Sequence, residues 1–186
     1  MSKVYQFGFF GEDVAQKLFL KMYLEKQACI FQEYEPFSYR VRATNKREVD
    51  SRFKQAVAIA VECQLNVLFI GRDSDSTDPK VIQRLNQNLT PTDFKNQTLR
   101  LIPVQCIEHW LWYLTDETAQ TGKLENKPRD DAKLAVWGVK RPTDERRKEV
   151  FTAIRPNFDI PHLVSRSASF RHFHQQVQNF LKTSSQ

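Results

Sequence analysis

The alternation of apolar and polar positions along the chain predicts strands and helices that follow one another in turn. Aromatic and β-branched runs predict strands, and apolar positions three and four residues apart predict helices. Asn45 and Asp78 stand where helix N-caps are expected, and Pro79 suits the first position of a helix. The predicted elements of the first two thirds are a strand over 3–10, a helix over 14–27, an extended edge segment over 29–42 containing Pro36, a helix over 46–64, a strand over 66–70, a helix from Pro79, a strand over 98–104 and a helix over 105–114.

This order of elements predicts an α/β fold with a central, partly parallel sheet flanked by helices. The polar stretch 116–133 indicates a linker or loop, and residues 143–181 indicate helices that end in an amphipathic segment over 167–181. We therefore expect an α/β domain over 1–115 and a basic, mainly helical C-terminal extension over 116–186 packed on that same domain.

The net charge of +6 is concentrated at one end of the chain. Residues 121–186 carry 13 Lys and Arg against 7 Asp and Glu, whereas residues 1–120 carry 15 of each. A basic flank suits a nucleic acid, although a solvated helical surface explains the same lysines. The side chains that could follow a phosphate backbone are Lys127, Lys133, Lys140 and Arg141.

The apolar runs and the cysteines indicate the cellular compartment of the protein. No apolar run approaches the roughly 20 residues that cross a bilayer, and the N-terminus lacks the apolar core of a signal peptide. Three cysteines lie far apart without a CxxC pair, which favours reduced thiols over a disulfide framework or a zinc site. We expect a cytoplasmic protein without membrane contact.

Acidic residues follow two of the predicted strands. Asp73 and Asp75 come after the apolar strand over 66–70, and Glu12 comes after the strand over 3–10. Ligands of parallel sheets bind beyond the carboxyl ends of the strands. If the backbone stays extended, Asp73 and Asp75 face the same way and suit Mg²⁺ or Mn²⁺, with Glu12 as a third ligand or a general acid or base. A polar turn bonded to local amides is the alternative.

A strand, a turn with Glu, a helix, and a later strand that ends in DxD resemble the Toprim domains of topoisomerases, primases and overcoming-lysogenization-defect type nucleases. The residues that carry the match are Gly11-Glu12 and Arg72-Asp73-Ser74-Asp75. The whole chain resembles a Toprim-like family of uncharacterised bacterial proteins, often encoded beside an AAA-type ATPase. Its further marks are the segment IPVQCIEHWLWYL with Glu108, the pair Lys127-Pro128, and the closing SASFRHFHQQVQNFL.

The resemblance implies a Toprim-like Rossmannoid fold and specific roles for the acidic residues. Glu12 is similar to the Toprim glutamate, a general acid or base or a metal ligand. Asp73 and Asp75 resemble the metal-binding aspartates, and Glu108 matches a position that helps hold a second metal in related nucleases.

Three functions are compatible with these residues. The first is metal-dependent hydrolysis of DNA or RNA, including transfer RNA, as a nuclease or nuclease-like subunit of a bacterial defence or DNA-processing system. No Walker motif is present, so any dependence on ATP would come from an ATPase partner. The second is a non-catalytic Toprim-fold subunit that binds an ATPase or nucleic acid. The third is a phosphatase of the haloacid-dehalogenase type, because residues 73–77 spell DxDxT.

Overall fold

A four-stranded sheet forms the centre of the molecule in a computed structural model, which describes residues 3–116 and 121–184. Its strand order is β2–β1–β3–β4, and every strand pairing in the described residues is parallel. The α/β class is thus confirmed, with a sheet that is wholly rather than partly parallel. The strands are β1 Val4–Gly11, β2 Ile30–Glu33, β3 Val67–Gly71 and β4 Thr98–Leu101.

Helices cover both faces of the sheet. They are α1 Val14–Leu24, α2 Glu35–Arg40, α3 Lys46–Glu62, α4 Pro79–Asn88, α5 Glu108–Thr115, α6 Arg129–Trp137, α7 Asp144–Ile154, α8 Ile160–Arg166 and α9 Ala168–Thr183. Both predicted N-caps are confirmed: the Asn45 side chain accepts from the Glu48 amide at 3.1 Å, and that of Asp78 accepts from the Lys80 amide at 2.8 Å. In the described part of the chain, none of the helices has the length and apolar character needed to cross a bilayer.

Several predicted boundaries were wrong, among them the end of the first helix, which is Leu24 rather than residue 27. The extended segment over 29–42 is the short strand β2 followed by helix α2, because Pro36 occupies the first turn of α2, where a helix needs no amide donor. Strand β4 ends at Leu101 rather than at residue 104. Helix α5 begins at Glu108 rather than at residue 105, because Gln105 has a left-handed backbone with φ of 59°.

The predicted linker over 116–133 is also partly structured. Residues 117–120 lie outside the described residues, but a 3₁₀ turn covers Leu124–Asn126 and helix α6 starts at Arg129. Asp130 and Asp131 lie in the first turn of α6, where the positive end of the helix dipole stabilises negative charge. The polar residues at this point form the solvent-facing start of a helix, so a polar composition alone does not distinguish it from a loop.

The sheet separates two groups of buried apolar side chains. Alternate residues of β3 face opposite sides, so that Phe69 joins one group and Leu68 joins the other. On the Phe69 side, α1 and α5 pack with α9 of the C-terminal extension through stacked and edge-on aromatic rings. On the Leu68 side, α2 and α3 supply the cover. The C-terminal helices thus share a core with the sheet.

Replacement of Phe173 by alanine tests this shared core. The Phe173 ring is fully buried, 5.1 Å from Tyr23 and 6.0 Å from Trp110 between ring centroids. We expect Phe173→Ala to lower the free energy of unfolding by about 3–5 kcal/mol in one cooperative transition. Urea unfolding would measure this, with the exposed Gln175→Ala on the same helix as control. A separate early transition would show that α9 unfolds independently.

Candidate functional site

The acidic residues that follow β1 and β3 meet at one edge of the sheet. β1 and β3 are neighbours, and Gly11 at the end of β1 lies opposite Gly71 at the end of β3. β1 pairs with β2 on one side and with β3 on the other. The order of the strands therefore reverses at β1, and the crevice at this reversal lies between β1 and β3. Ligands of open parallel sheets bind in the crevice at such a point.

The glycines at the strand ends leave room for the Gln16 side chain. Gln16 is fully buried, and its Nε2 donates to Asp73 Oδ1 at 2.8 Å. A Cβ atom added to Gly71 would lie 2.5 Å from Gln16 Oε1, closer than atoms can approach without a shift. Gln16 Oε1 itself has no hydrogen-bond partner among the described residues. Helix α1 thus directs a polar side chain, and not only apolar ones, at the strand ends. Val14, which the apolar spacing predicts on the buried face of this helix, is exposed.

Arg129 joins the two aspartates. Its Nη2 lies 3.2 Å from Asp73 Oδ2, and its Nη1 donates to Asp75 Oδ1. The backbone of Asp75 is left-handed, with φ of 53°, so the extended conformation expected after Asp73 is wrong. Asp73 and Asp75 nevertheless reach the same guanidinium, and Lys46 Nζ adds a second cation 3.1 Å from Asp75 Oδ2.

Arg72 is a further cation of the cluster, and unlike Arg129 and Lys46 it is buried. Its guanidinium lies 3.2 Å from Asp50, 3.3 Å from Asp75 and 3.8 Å from Glu12. Glu12 in turn accepts a hydrogen bond from the Asp73 amide at 2.7 Å. The turn after β1 and the turn after β3 are therefore tied together by Glu12, as the position of these residues after neighbouring strands predicts.

Glu108 lies close enough to the cluster for its charge to act on Asp73. It is buried at the start of α5, and Trp137 Nε1 donates to its Oε1 at 2.9 Å. Trp137 itself lies in the core against Phe151. The thiol of Cys106 is buried nearby, and burial raises its pKa, with the negative charges of Glu108 and Asp73 acting in the same direction.

Burial governs the protonation of the two central carboxyl groups. The Asp73 side chain is only 4% exposed; burial raises its pKa well above the ordinary value, and the charges of Glu12 and Glu108 raise it further. Arg129 and Gln16 oppose this rise. The pKa of Glu12 is also raised by burial, against the hydrogen bond from Asp73 and the charge of Arg72. A carboxyl group with a raised pKa can exchange protons near neutral pH, as a general acid or base does.

The segment before α6 is held so that Arg129 points at the aspartates. Gln105 Nε2 donates to the carbonyls of Glu125 and Lys127, both at 2.7 Å, and His109 Nε2 lies 3.0 Å from the Lys127 carbonyl. Arg129 is then the first residue of α6. The loop between β4 and α5 thus fixes the part of the C-terminal extension that neutralises the acidic cluster.

The four predicted nucleic-acid contacts lie outside this cluster. Lys127 and Arg141 are exposed, and Lys133 is half-buried on α6. Lys140 forms an ion pair with Asp130 at 2.6 Å. Lys127 precedes α6, Lys133 lies on it, and Lys140 and Arg141 lie in the loop after it, so all four are on the segment that also carries Arg129.

The carboxylates fit a hard divalent cation by chemistry but not in their present arrangement. Glu12, Asp73, Asp75 and Glu108 offer oxygen ligands, which Mg²⁺ and Mn²⁺ prefer. Within residues 3–116 and 121–184, however, no three or more Asp, Glu, His or Cys side chains are grouped to hold a metal. Arg129 bridges Asp73 and Asp75 where a shared cation would bind. A cation could therefore bind both aspartates only if Arg129 moved.

Several site residues were not predicted, and they differ in whether the local sequence indicated them. Arg72 stands beside the DxD motif, and Gln16 falls on the buried face of α1, so both carried a local signal. Arg129 carried none, because only the folded chain brings it next to Asp73, 56 residues away in sequence. The same holds for Lys46 and Asp50, which reach the cluster from the start of α3.

Comparisons with protein-family models, with curated proteins and with solved structures found no match for this chain. The Toprim-like assignment accordingly stays a prediction that rests on the residues of the motif.

Replacement of Asp73 by asparagine tests the cost of the buried charge. A carboxyl group whose pKa is higher in the folded than in the unfolded protein costs stability as pH rises from its unfolded value, about 3.8, through its folded value. Asparagine does not titrate. We expect Asp73→Asn to raise the melting temperature relative to the wild type, with a difference that widens as pH rises through this window.

Thermal melts in EDTA would measure the effect without any divalent cation. Asp93→Asn, at an exposed aspartate, is the control and should show no such widening. If Asp73→Asn is less stable than the wild type throughout, the ion pair with Arg129 outweighs the cost of burial.

Proposed function

We propose that the chain is a nuclease or nuclease-like subunit with a Toprim-like fold, which hydrolyses phosphodiesters of nucleic acid with the help of Mg²⁺ or Mn²⁺. The observation that carries the proposal is the convergence of acidic side chains at the carboxyl ends of parallel strands. Glu12 follows β1, Asp73 and Asp75 follow β3, and Glu108 opens the helix after β4. A carboxylate cluster at this position suits phosphoryl chemistry that depends on a divalent cation.

Asp73 and Asp75 are the residues that would hold the cation, with Glu12 and Glu108 as further ligands. A bound cation would orient the phosphate, activate a water molecule and neutralise negative charge during cleavage. The residues of the chain supply the other requirements: Gln16 fixes the orientation of Asp73, and Arg72 and Lys46 balance the negative charge.

Glu12 is the residue best suited to move a proton. One of its oxygens accepts from the Asp73 amide, and its raised pKa, caused by burial, lies nearer to neutrality than that of an exposed glutamate. Glu12 also lines a cavity of about 450 Å³ between the end of β1 and α2, together with Tyr39 and Arg42. Arg129 is not part of the lining of this cavity, so a substrate could approach Glu12 there without contacting Arg129.

The proposed partner is a nucleic acid held by Lys127, Lys133, Lys140 and Arg141, in the cytoplasm. These residues lie on the same segment as Arg129, so a phosphate backbone that binds them would also compete for the Arg129 guanidinium. An AAA-type ATPase is the proposed protein partner, on the strength of the resemblance alone.

A non-catalytic subunit is the second proposal, and one observation favours it. All four carboxylate oxygens of Asp73 and Asp75 already have partners, which are Gln16, Arg129, Arg72 and Lys46. A cluster neutralised in this way can serve as a structural link between the sheet and the C-terminal extension. A subunit of this kind would bind its ATPase or nucleic acid without cleaving it.

The phosphatase interpretation finds less support. The nucleophile of that mechanism would be Asp73, which is nearly fully buried between Gln16 and Arg129. Thr77, the third residue of the DxDxT motif, lines a cavity between α4 and α9 instead of the acidic cluster. We therefore do not propose it.

Binding of Mn²⁺ tests the proposed function. We expect calorimetry to show saturable Mn²⁺ binding to the wild type and none to Asp73→Asn/Asp75→Asn, because two carboxylate ligands are lost. Asp130→Asn/Asp131→Asn, which removes the same charge from the exposed start of α6, should bind like the wild type. DNA and RNA cleavage would then be assayed with Mn²⁺, alone and with an ATPase partner. Absence of Mn²⁺ binding to the wild type would favour the non-catalytic subunit.

Replacement of Arg129 separates competition from metal binding as such. We expect Arg129→Ala to bind Mn²⁺ about fivefold to tenfold more tightly than the wild type, because the guanidinium no longer occupies Asp73 and Asp75. The matched control is Arg141→Ala, which removes an exposed arginine outside the cluster. Weaker binding by Arg129→Ala would show that Arg129 supports the cation site and does not compete for it.

A further inference from the structure

Arg100 lies on the edge strand β4, where α9 covers the open side of the sheet. The Gln176 side chain of α9 replaces a neighbouring strand: the Arg100 amide donates to Gln176 Oε1 at 3.0 Å, and Gln176 Nε2 donates to the Arg100 carbonyl at 3.2 Å. The backbone of Arg100 is thereby fixed, and its side chain projects between α9 and the end of α4. This is a rigid position for a cation.

The guanidinium of Arg100 has no counter-charge within residues 3–116 and 121–184. Its Nη1 donates to Thr90 Oγ1 at 2.8 Å, its Nε is buried without a hydrogen-bond partner, and among the described residues it forms no ion pair with a carboxylate. Burial lowers its pKa, with no opposing effect from an acidic neighbour. Arg72, which is more deeply buried, and Arg129, which is half-buried like Arg100, each pair with two or more acidic side chains. An unpaired, half-buried arginine costs free energy that a ligand can recover.

The surroundings of Arg100 suit an anion. It lines a cavity of about 360 Å³ whose lining contains no Asp or Glu. Lys95, in the turn before β4, brings a second positive charge, and hydroxyl and amide groups provide further donors. The polar lining residues besides Lys95 and Arg100 are Thr90, Asn96, Thr98, Gln176, Asn179 and Thr183.

We propose that this cavity binds a phosphate monoester, with Arg100 and Lys95 as its charged contacts. Among the residues that the structure describes, neither Nε nor Nη2 of Arg100 has a hydrogen-bond acceptor, and the edge that these two atoms form matches the spacing of two phosphate oxygens. Two cations balance a dianion, and the cavity volume exceeds that of inorganic phosphate alone. The phosphate could belong to a small molecule such as a nucleoside monophosphate or to the phosphorylated end of a nucleic-acid strand.

This site is separate from the acidic cluster. Lys95 and Thr98 precede and open β4, whereas Glu12, Asp73 and Asp75 follow the carboxyl ends of β1 and β3. The acidic cluster therefore contributes no residue to the cavity, and the proposal does not depend on nuclease activity.

Binding to the purified full chain tests the proposal. Inorganic phosphate, a nucleoside monophosphate, and one oligonucleotide with either a 5′-phosphate or a 5′-hydroxyl would be titrated by calorimetry at constant ionic strength. We expect phosphate to bind the wild type and Arg100→Gln to bind it about tenfold or more weakly. Arg84→Gln, which removes an exposed arginine from α4, is the control of equal charge and should bind like the wild type.

The ligand series distinguishes the two sources of phosphate. Tighter binding of the monophosphate than of either oligonucleotide indicates a small molecule, whereas a preference for the 5′-phosphorylated over the 5′-hydroxyl strand indicates a nucleic-acid end. Equal binding of phosphate by the wild type and Arg100→Gln, or no binding by any of these ligands, would overturn the proposal.

A second variant covers the case in which Arg100→Gln does not fold. Lys95 is exposed, so Lys95→Gln should keep the fold and still weaken phosphate binding. Burial lowers the pKa of His172, and the positive charge of the nearby Arg100 lowers it further. Phosphate should therefore shift the His172 signal in NMR spectra of the wild type. An unchanged affinity in Lys95→Gln and an unchanged His172 signal would overturn the proposal.

Discussion

The contact of Arg129 with Asp73 and Asp75 links the two parts of the chain and makes a buried carboxylate tolerable. Asp73 lies at the end of the central strand β3, where burial and two neighbouring acidic groups disfavour its charge. A buried charge needs an opposite charge and hydrogen bonds, and Arg129 and Gln16 supply them. Because Arg129 begins α6, this requirement determines where the C-terminal extension meets the sheet.

The loop between β4 and α5 fixes the geometry of this contact. Backbone hydrogen bonds extend the pairing of β3 with β4 beyond the strands: the Ser74 amide donates to the Pro103 carbonyl at 3.2 Å, and the Asp75 amide to the Gln105 carbonyl at 3.0 Å. The Gln105 side chain then holds the chain before α6. One loop therefore sets both the turn that carries Asp75 and the segment that carries Arg129, which couples the acidic cluster to the extension. A ligand that displaced Arg129 would act on both.

Positive charges are distributed unevenly over the molecule. At the carboxyl ends of β1 and β3, three arginine and lysine side chains face five carboxyl groups, so acidic groups outnumber cations in the cluster. At the outer edge of β4, Arg100 and Lys95 share a cavity without any acidic residue. The first arrangement can be shifted by a competing cation, and the second can be completed by an anion. The acidic cluster can thus accept a further positive charge, and the cavity at Arg100 can accept a negative one.

The sequence by itself determined the elements whose signals are local. Strands β1 and β3, helices α1 and α3, and the caps at Asn45 and Asp78 follow from apolar spacing and from the side chains that bond to helix amides. The α/β class follows from their order, and the positions of Glu12 and Asp73 after predicted strands placed both at the carboxyl edge of the sheet, where the adjacency of β1 and β3 brings them into contact.

Only the tertiary structure decided what lies between the carboxylates. The positive charge that an acidic strand end requires is the guanidinium of Arg129, which sits 56 residues from Asp73 in a segment whose polar composition indicated a loop. Neither apolar spacing nor a motif reports a long-range ion pair, because Coulomb attraction depends on distance in space and not along the chain. The same reason explains why Arg100 could not be recognised as unpaired before its neighbours in α4 and α9 were known.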